Sequence, residues 1–302
     1  DALGGGACFE TGSTVKLYGV TAFRNQAIGG NAATNAGGGF GGGLFGEGAN
    51  VTVEGAEIRS NLAQGGNGDN GWLGSGGGIM TIHTTLSVNR ARVVANTAQG
   101  GNGRGGYYGG PNGGGITVSG GPGGAASNLT LTNSIVGGNK AAAGSGAKIL
   151  GGGGGGVWIQ ATTAATLDHV TIASNTVAGI GVVGQGLLLI NTADLASNAT
   201  VRNSLITGHN GSEGSAVEVF PKSTVTFASG LFHNNKWNTS RDNPNMGTNI
   251  GTVNGAQTMG SADPIYVSTA DNDFHIQSKS PARDKAAGSQ QKVDVDNDQR
   301  DS

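Results

Sequence analysis

Residues 76–101 read GGGIMTIHTTLSVNRARVVANTAQGG, and this stretch decides the fold. Gly76, Gly77 and Gly78 lead into the apolar pair Ile79 and Met80. Leu86-Ser87-Val88 then alternates apolar and polar, and Val93 stands three residues before Asn96. A short segment of small residues follows and ends in Gly100-Gly101. Alternation with a period of two marks a strand with one buried face.

The same series recurs on both sides. Val51-Thr52-Val53 and Ile58 precede Asn61; Leu129-Thr130-Leu131 and Val136 precede Asn139; Leu167 and Ile172 precede Asn175. Val15-Lys16-Leu17 leads to Asn25, and Asn210 and Asn234 continue the series with a slip. From Asn25 to Asn234 the spacings are 36, 35, 43, 36, 35 and 24 residues. Glycine-led apolar runs open the units, as at Gly41 to Phe45, Gly113 to Val118, Gly154 to Ile159 and Gly214 to Phe220.

One such unit cannot bury its apolar face alone, but stacked units can. Glycine at the corners permits the positive φ of a sharp bend. Asparagine tolerates the left-handed region and bonds its own backbone, and stacked asparagines can form an amide ladder. The pattern therefore predicts an all-β chain, a right-handed parallel β-helix (solenoid). About eight coils at a strand spacing of about 4.8 Å make a rod roughly 40 Å long. The spacing of 24 is a bare coil; the longer ones carry glycine-rich loop insertions, all on one edge.

Composition excludes several classes. The 61 glycines lack the strict period of collagen. Only 12% of residues are charged and the net charge is −2, unlike the basic footprint of a nucleic-acid binder. No apolar run reaches the roughly 20 residues of a membrane span. No signal peptide is visible; the abrupt start at Asp1 is what removal of one leaves. Cys8 has no internal partner and reads as a packing residue.

The glycine-led strands present a second feature. With Leu44, Ile79, Ile116, Val157 and Leu187 inward, the residues between them point outward. That outer row holds Cys8, Phe45, Met80, Thr117, Trp158, Leu188 and Glu218, and it is largely apolar. Either the glycine loops fold back over it, or Phe45, Met80, Trp158 and Leu188 form a surface for a ligand or partner. Trp72, Tyr107 and Tyr108, on the glycine insertions, either stack on sugars or a partner or pin the loops to the row.

A polysaccharide lyase or glycoside hydrolase would need paired carboxylates, or carboxylate-held calcium beside a base. Between Asp69 and Asp168 there is no Asp or Glu. Glu54 with Glu57, and Asp168 with His169, are the available acid–base pairs, and both are expected on solvated strands or turns. The histidines (83, 169, 209, 233 and 275) show no metal spacing and read as surface or turn residues. The glycine run at 151–156 lacks the Lys-Ser/Thr of a phosphate loop. Asp294, Asp296 and Asp298 alternate as calcium ligands do, without the glycine and distal Glu of a full loop; calcium is the one cofactor the sequence suggests. Asn50-Val-Thr, Asn128-Leu-Thr and Asn198-Ala-Thr match glycosylation acceptors, but share one position in the repeat, which stacking alone explains.

Two resemblances can be placed on these residues. Gly77-Gly78-Ile79-Met80 and Val93-Val94-Ala95-Asn96 resemble the Gly-Gly-Ala-Ile and Phe-x-x-Asn repeats of the polymorphic outer-membrane-protein family, over about residues 4 to 235. Phe is replaced by Ile or Val here, and Phe23 stands only two before Asn25. Asp263-Pro-Ile-Tyr-Val267, Asp273-Phe-His-Ile276 and Ser280-Pro-Ala-Arg-Asp284 look like the closing segment of large bacterial surface β-helix proteins. The resemblance implies that this segment ends the solenoid and that the protein is extracellular and bacterial. The expected division is 1–262, the repeats, and 263–302, the closing segment and acidic tail.

The expected function is that of a non-catalytic, secreted or cell-surface structural or adhesive protein that contacts other surface proteins or glycans. A carbohydrate-active enzyme of this fold is the rival. A filament subunit is the third reading, because a first coil opening at Gly4 would leave a strand edge for another copy, end to end.

Overall fold

The computed structural model describes residues 1–104, 107–120, 127–149, 151–161, 163–191, 195–248, 250–256, 259–283, 285 and 296. Every regular element among them is a strand, and the long sheets are parallel.

Four parallel sheets organise the repeats. The glycine-led sheet has seven strands: Ala7–Phe9, Leu44–Glu47, Ile79–Ile82, Ile116–Ser119, Val157–Gln160, Leu187–Ile190 and Val217–Val219. The long sheet stacks eight: Thr14–Tyr18, Asn50–Glu54, Thr85–Asn89, Ser127–Gly137, Thr163–Ala173, Asn198–Arg202, Thr224–Phe227 and Thr252–Asn254. Past a corner it gains a second row that includes Thr21–Phe23, Glu57–Arg59, Arg92–Val94 and Ser204–Thr207. The post-asparagine sheet runs from Gln26–Ile28 to Thr176–Ala178, and a return sheet of two-residue strands runs from Ala2–Leu3 to Val182–Val183.

Register is kept without a slip. Leu44, Ile79, Ile116, Val157, Leu187 and Val217 are successive partners. They share one buried core with Val53, Val88, Leu131, Leu167 and Val201 of the long sheet and Ile58, Val93, Val136 and Ile172 beyond the corner. A one-residue slip would turn every one of these to the other face, so the apolar pattern itself locks the stack.

The bends follow backbone sterics. Gly76 has φ 62°, and a Cβ there would stand 2.4 Å from the Ile79 carbonyl oxygen. Only glycine fits that corner. The corner inside the long sheet is also left-handed, but Arg90, Asn133, His169 and Asn203 occupy it, with φ between 45° and 57°.

The asparagine ladder forms. The Asn61 oxygen accepts from the Asn25 amide and backbone N–H, at 3.0 and 2.9 Å. Asn96, Asn139 and Asn175 repeat the arrangement. The other amide proton of each rung reaches back to a strand carbonyl, as from Asn139 to Val93 at 2.9 Å. Each rung thus satisfies buried backbone groups at a bend. The slip in the sequence is resolved by one residue at each of the last two rungs: His209, not Asn210, follows Asn175, and Asn235, not Asn234, follows His209. Asn234 takes the left-handed position before the rung, with φ 50°.

The glycine insertions are stacked too. Asn31, Asn67, Asn102 and Ser145 form a second ladder through backbone N–H donors to side-chain oxygens at 2.7 to 2.9 Å. Backbones meet there with no room for a side chain: a Cβ on Gly109 would lie 1.6 Å from the Trp72 carbonyl oxygen. This is why the insertions are so rich in glycine.

Residues 263–283 double back along the flank. Tyr266–Ser268 and Asp273–Ile276 pair antiparallel. Phe274 is buried against Val94, Ile135 and Ala173, on the outer face of the long sheet's second row. Tyr266 sets its ring edge-on to Phe274 at 5.5 Å and bonds Thr207 through its hydroxyl at 2.7 Å. Among the described residues, no helix is long and apolar enough to cross a membrane.

Candidate functional site

The outer apolar row is not a free surface. Phe45, Met80, Trp158 and Leu188 are 3, 6, 4 and 0% exposed. The return sheet lies over them: the Thr117 hydroxyl donates to the Asn112 carbonyl at 2.7 Å, and a Cβ on Gly153 would touch Leu188 at 3.0 Å. The reading of these residues as a ligand surface is corrected accordingly. The physical reason is that the two-residue strands of the return sheet, with glycine at Gly39, Gly74, Gly152 and Gly153, approach close enough to seal the row. Of the loop aromatics, Trp72 is 38% exposed and its carbonyl accepts from Gly101 at 2.8 Å. Tyr107 and Tyr108 form a short strand paired with Lys148 and Ile149.

The row is open only at its first strand. A cleft of about 350 Å³ there is lined by Leu3, Cys8, Phe9, Glu10, Thr11, Phe45 and Glu47. Cys8 is exposed. Partial burial, then Glu10 and Glu47, pushes its thiol up from the ordinary value, away from the reactive thiolate.

Glu54 and Glu57 stand on partly solvated strands, as expected, whereas Asp168 and His169 are buried. Asp168 is buried; one carboxylate oxygen accepts from His169 at 2.8 Å and from Asn203 at 3.1 Å, and the other pairs with Arg202 at 3.1 Å. Glu54 pairs with Arg90 at 2.5 Å and Glu57 with Arg59 at 3.2 Å. Glu54 and Asp168 brace the corner of the long sheet, whereas the Glu57–Arg59 pair lies within one strand. The expectation that the histidines are surface or turn residues fails for His209, which is fully buried in the ladder, and His169 is nearly so.

For calcium, Asp294 and Asp298 lie outside the described residues. The Asp296 carboxylate stands 2.8 Å from the His275 Nε2, and His275 Nδ1 also meets Asp273. Among the described residues no group of three or more His, Cys, Asp or Glu side chains is placed to hold a metal.

One broad surface remains: the outer face of the long sheet. Lys16, Thr52, Ser87, Thr130, Thr166, Thr200, Thr226 and Asn254 are successive partners, one per strand. Beside them run Thr14, Asn50, Thr85, Asn128, Ala164, Asn198, Thr224 and Thr252. Every one of these side chains is exposed or half-buried. Among the described residues, none of them bonds another group of the protein through its side chain. Lys16 is the one charge in these two columns, which hold no aromatic ring. The adjoining column of the same face holds Tyr18, Glu54, Asn89, Thr132, Asp168 and Arg202, with Glu54 paired to Arg90 and Asp168 to Arg202.

Asn50-Val-Thr, Asn128-Leu-Thr and Asn198-Ala-Thr, noticed in the sequence as glycosylation matches, are rows of this face. The signal for the face was there: the polar residue between the two apolar ones of each strand. Its meaning needed the register.

No family model, no curated protein and no solved structure matches this chain. What fold and site define is a class: an all-β protein of long, in-register parallel sheets.

Proposed function

We propose that the sheets close into a right-handed parallel β-helix of about eight coils, as the eight strands of the long sheet suggest. On this reading the protein is a non-catalytic contact module, secreted or at the cell surface, with protein or glycan partners. The observation that carries it is the outer face of the long sheet, whose two columns of short polar groups are free of internal bonds. A face of this kind offers donors and acceptors over a wide area without a concave pocket, which suits adhesion better than catalysis. Support also comes from the carboxylates. Glu54, Glu57 and Asp168 each hold an arginine and are not poised toward a substrate.

The test is binding of the full chain to glycan arrays and to surface-protein extracts, beside an assay for unsaturated products from uronic-acid polymers. Retention that falls when Thr130 and Thr200 are both changed to Lys supports contact through the face. Turnover of a polymer would replace this reading with the enzymatic one.

A further inference from the structure

We propose that the outer face of the long sheet binds ice, so that its partner is the ordered lattice of frozen water. The inference rests on the reading of this face as the contact surface and names the partner.

Parallel strands lie about 4.8 Å apart, and alternate residues along one strand are separated by about 6.6 Å. Two columns in register therefore present polar groups on a rectangular net. Both repeats approach oxygen–oxygen repeats in the prism plane of hexagonal ice. Thr52, Ser87, Thr130, Thr166, Thr200 and Thr226 occupy consecutive rungs of one column without a break. The chain separations between these rungs are unequal, at 35, 43, 36, 34 and 26 residues. The hydroxyl column thus persists although the insertions differ in length, so it belongs to the surface and not to a copied repeat.

Side-chain chemistry narrows the partner. A β-branched threonine is stiff at χ1, so its hydroxyl and methyl hold fixed positions at little entropic cost. A hydroxyl both donates and accepts, as lattice water requires. Charge complementarity points the same way. Besides Lys16, the charges of this face are Glu54, Asp168 and Arg202 in the adjoining column. Glu54 is paired with Arg90 and Asp168 with Arg202, so they neutralise each other, which suits an uncharged partner. A crystalline polysaccharide would also be uncharged, but sugar faces are gripped by flat aromatic rings, and this face holds a single one, Tyr18 on the first strand, away from the Thr52 to Thr226 column. The net is also braced from behind. The Asn25 to Asn175 ladder and the unslipped core beneath the face resist twisting of the rungs.

The test uses the full chain in supercooled buffer and in a sucrose recrystallisation assay. The wild type is expected to shape growing ice into facets and to halt recrystallisation. A T130K/T166K variant should lose both effects with an unchanged melting temperature and circular-dichroism spectrum. T21K, on the exposed first strand of the other row, should keep them. Unshaped ice growth with the wild type overturns the proposal, as does equal loss in T21K. If T130K/T166K destabilises the fold, the smaller T130S/T166V pair is read instead, and full retention of ice shaping by that pair overturns the proposal. Unshaped ice together with face-dependent capture on cellulose or chitin overturns ice as the partner while leaving the contact module standing. Absence of ice shaping and of any glycan or protein retention removes both.

Discussion

Acid should loosen the stack of strands through one residue, His209. It replaces asparagine as a rung of the ladder and is fully buried. Its Nδ1 stands 3.1 Å from the Asn235 side-chain oxygen, and its Nε2 stands 3.5 Å from the Asn175 amide nitrogen. The partners assign the tautomer: Nδ1–H donates to the oxygen and Nε2 accepts from the amide. A second proton would set two donors against each other at Nε2. Burial lowers the pKa from 6.5 to about 4, opposed in part by the Asn235 bond. Between those values the unfolded chain holds a proton that the folded chain lacks. Stability therefore rises with pH across this window and is lost as pH falls through it. At 1.36 kcal/mol per unit, the full loss is about 3 kcal/mol. Glu218 acts in the opposite sense: burial raises its pKa, so its folded form is favoured as acid protonates it. The contribution of His209 is therefore read as a difference between two proteins. In H209N the new amide should accept from Asn175, donate to Asn235 and continue the ladder. Urea denaturation at pH 7.5 and pH 5, followed by circular dichroism, should show H209N losing less stability on acidification than the wild type. Equal losses would refute the reasoning.

Further outcomes follow from the same contacts. Asn139→Ala removes the acceptor for the Asn96 N–H and amide and the donor to Val93, so chemical denaturation should show a loss of about 2–4 kcal/mol. Gly109→Ala drives a Cβ into the Trp72 carbonyl, whereas a Cβ on Gly30 meets nothing within 4 Å. The first should lower the melting temperature sharply, and Gly30→Ala should leave it unchanged or raise it slightly. Phe274→Ala empties the contact with Val94, Ile135 and Ala173; a cost of about 3–5 kcal/mol should release the hairpin before the repeats melt. Limited proteolysis should then cut near Asp263 first.

The parts legible in the sequence were those set by local rules. Ile79, Ile116, Val157 and Leu187 stand in one column as the alternation requires. The ladder was visible from Asn25 to Asn175, because each rung ends a similar run of strands. It blurred at Asn210 and Asn234, because a histidine can fill a rung that no asparagine pattern reveals. The corner at Arg90, Asn133, His169 and Asn203 was equally hidden. No single residue type marks it, and tertiary packing imposes the left-handed backbone.

The candidate site divides in the same way. Period-two alternation already assigned Phe45, Met80, Trp158 and Leu188 to one side of a strand and Thr52, Thr130 and Thr200 to the outside of another. Alternation says which side a residue faces and nothing about what lies there. That was decided by chain segments far away in sequence. The return sheet, which glycines let approach closely, closes over the first set. Over the second no described segment closes, and those residues stay open. Burial depends on which distant strands come close, and a periodic pattern carries no record of that.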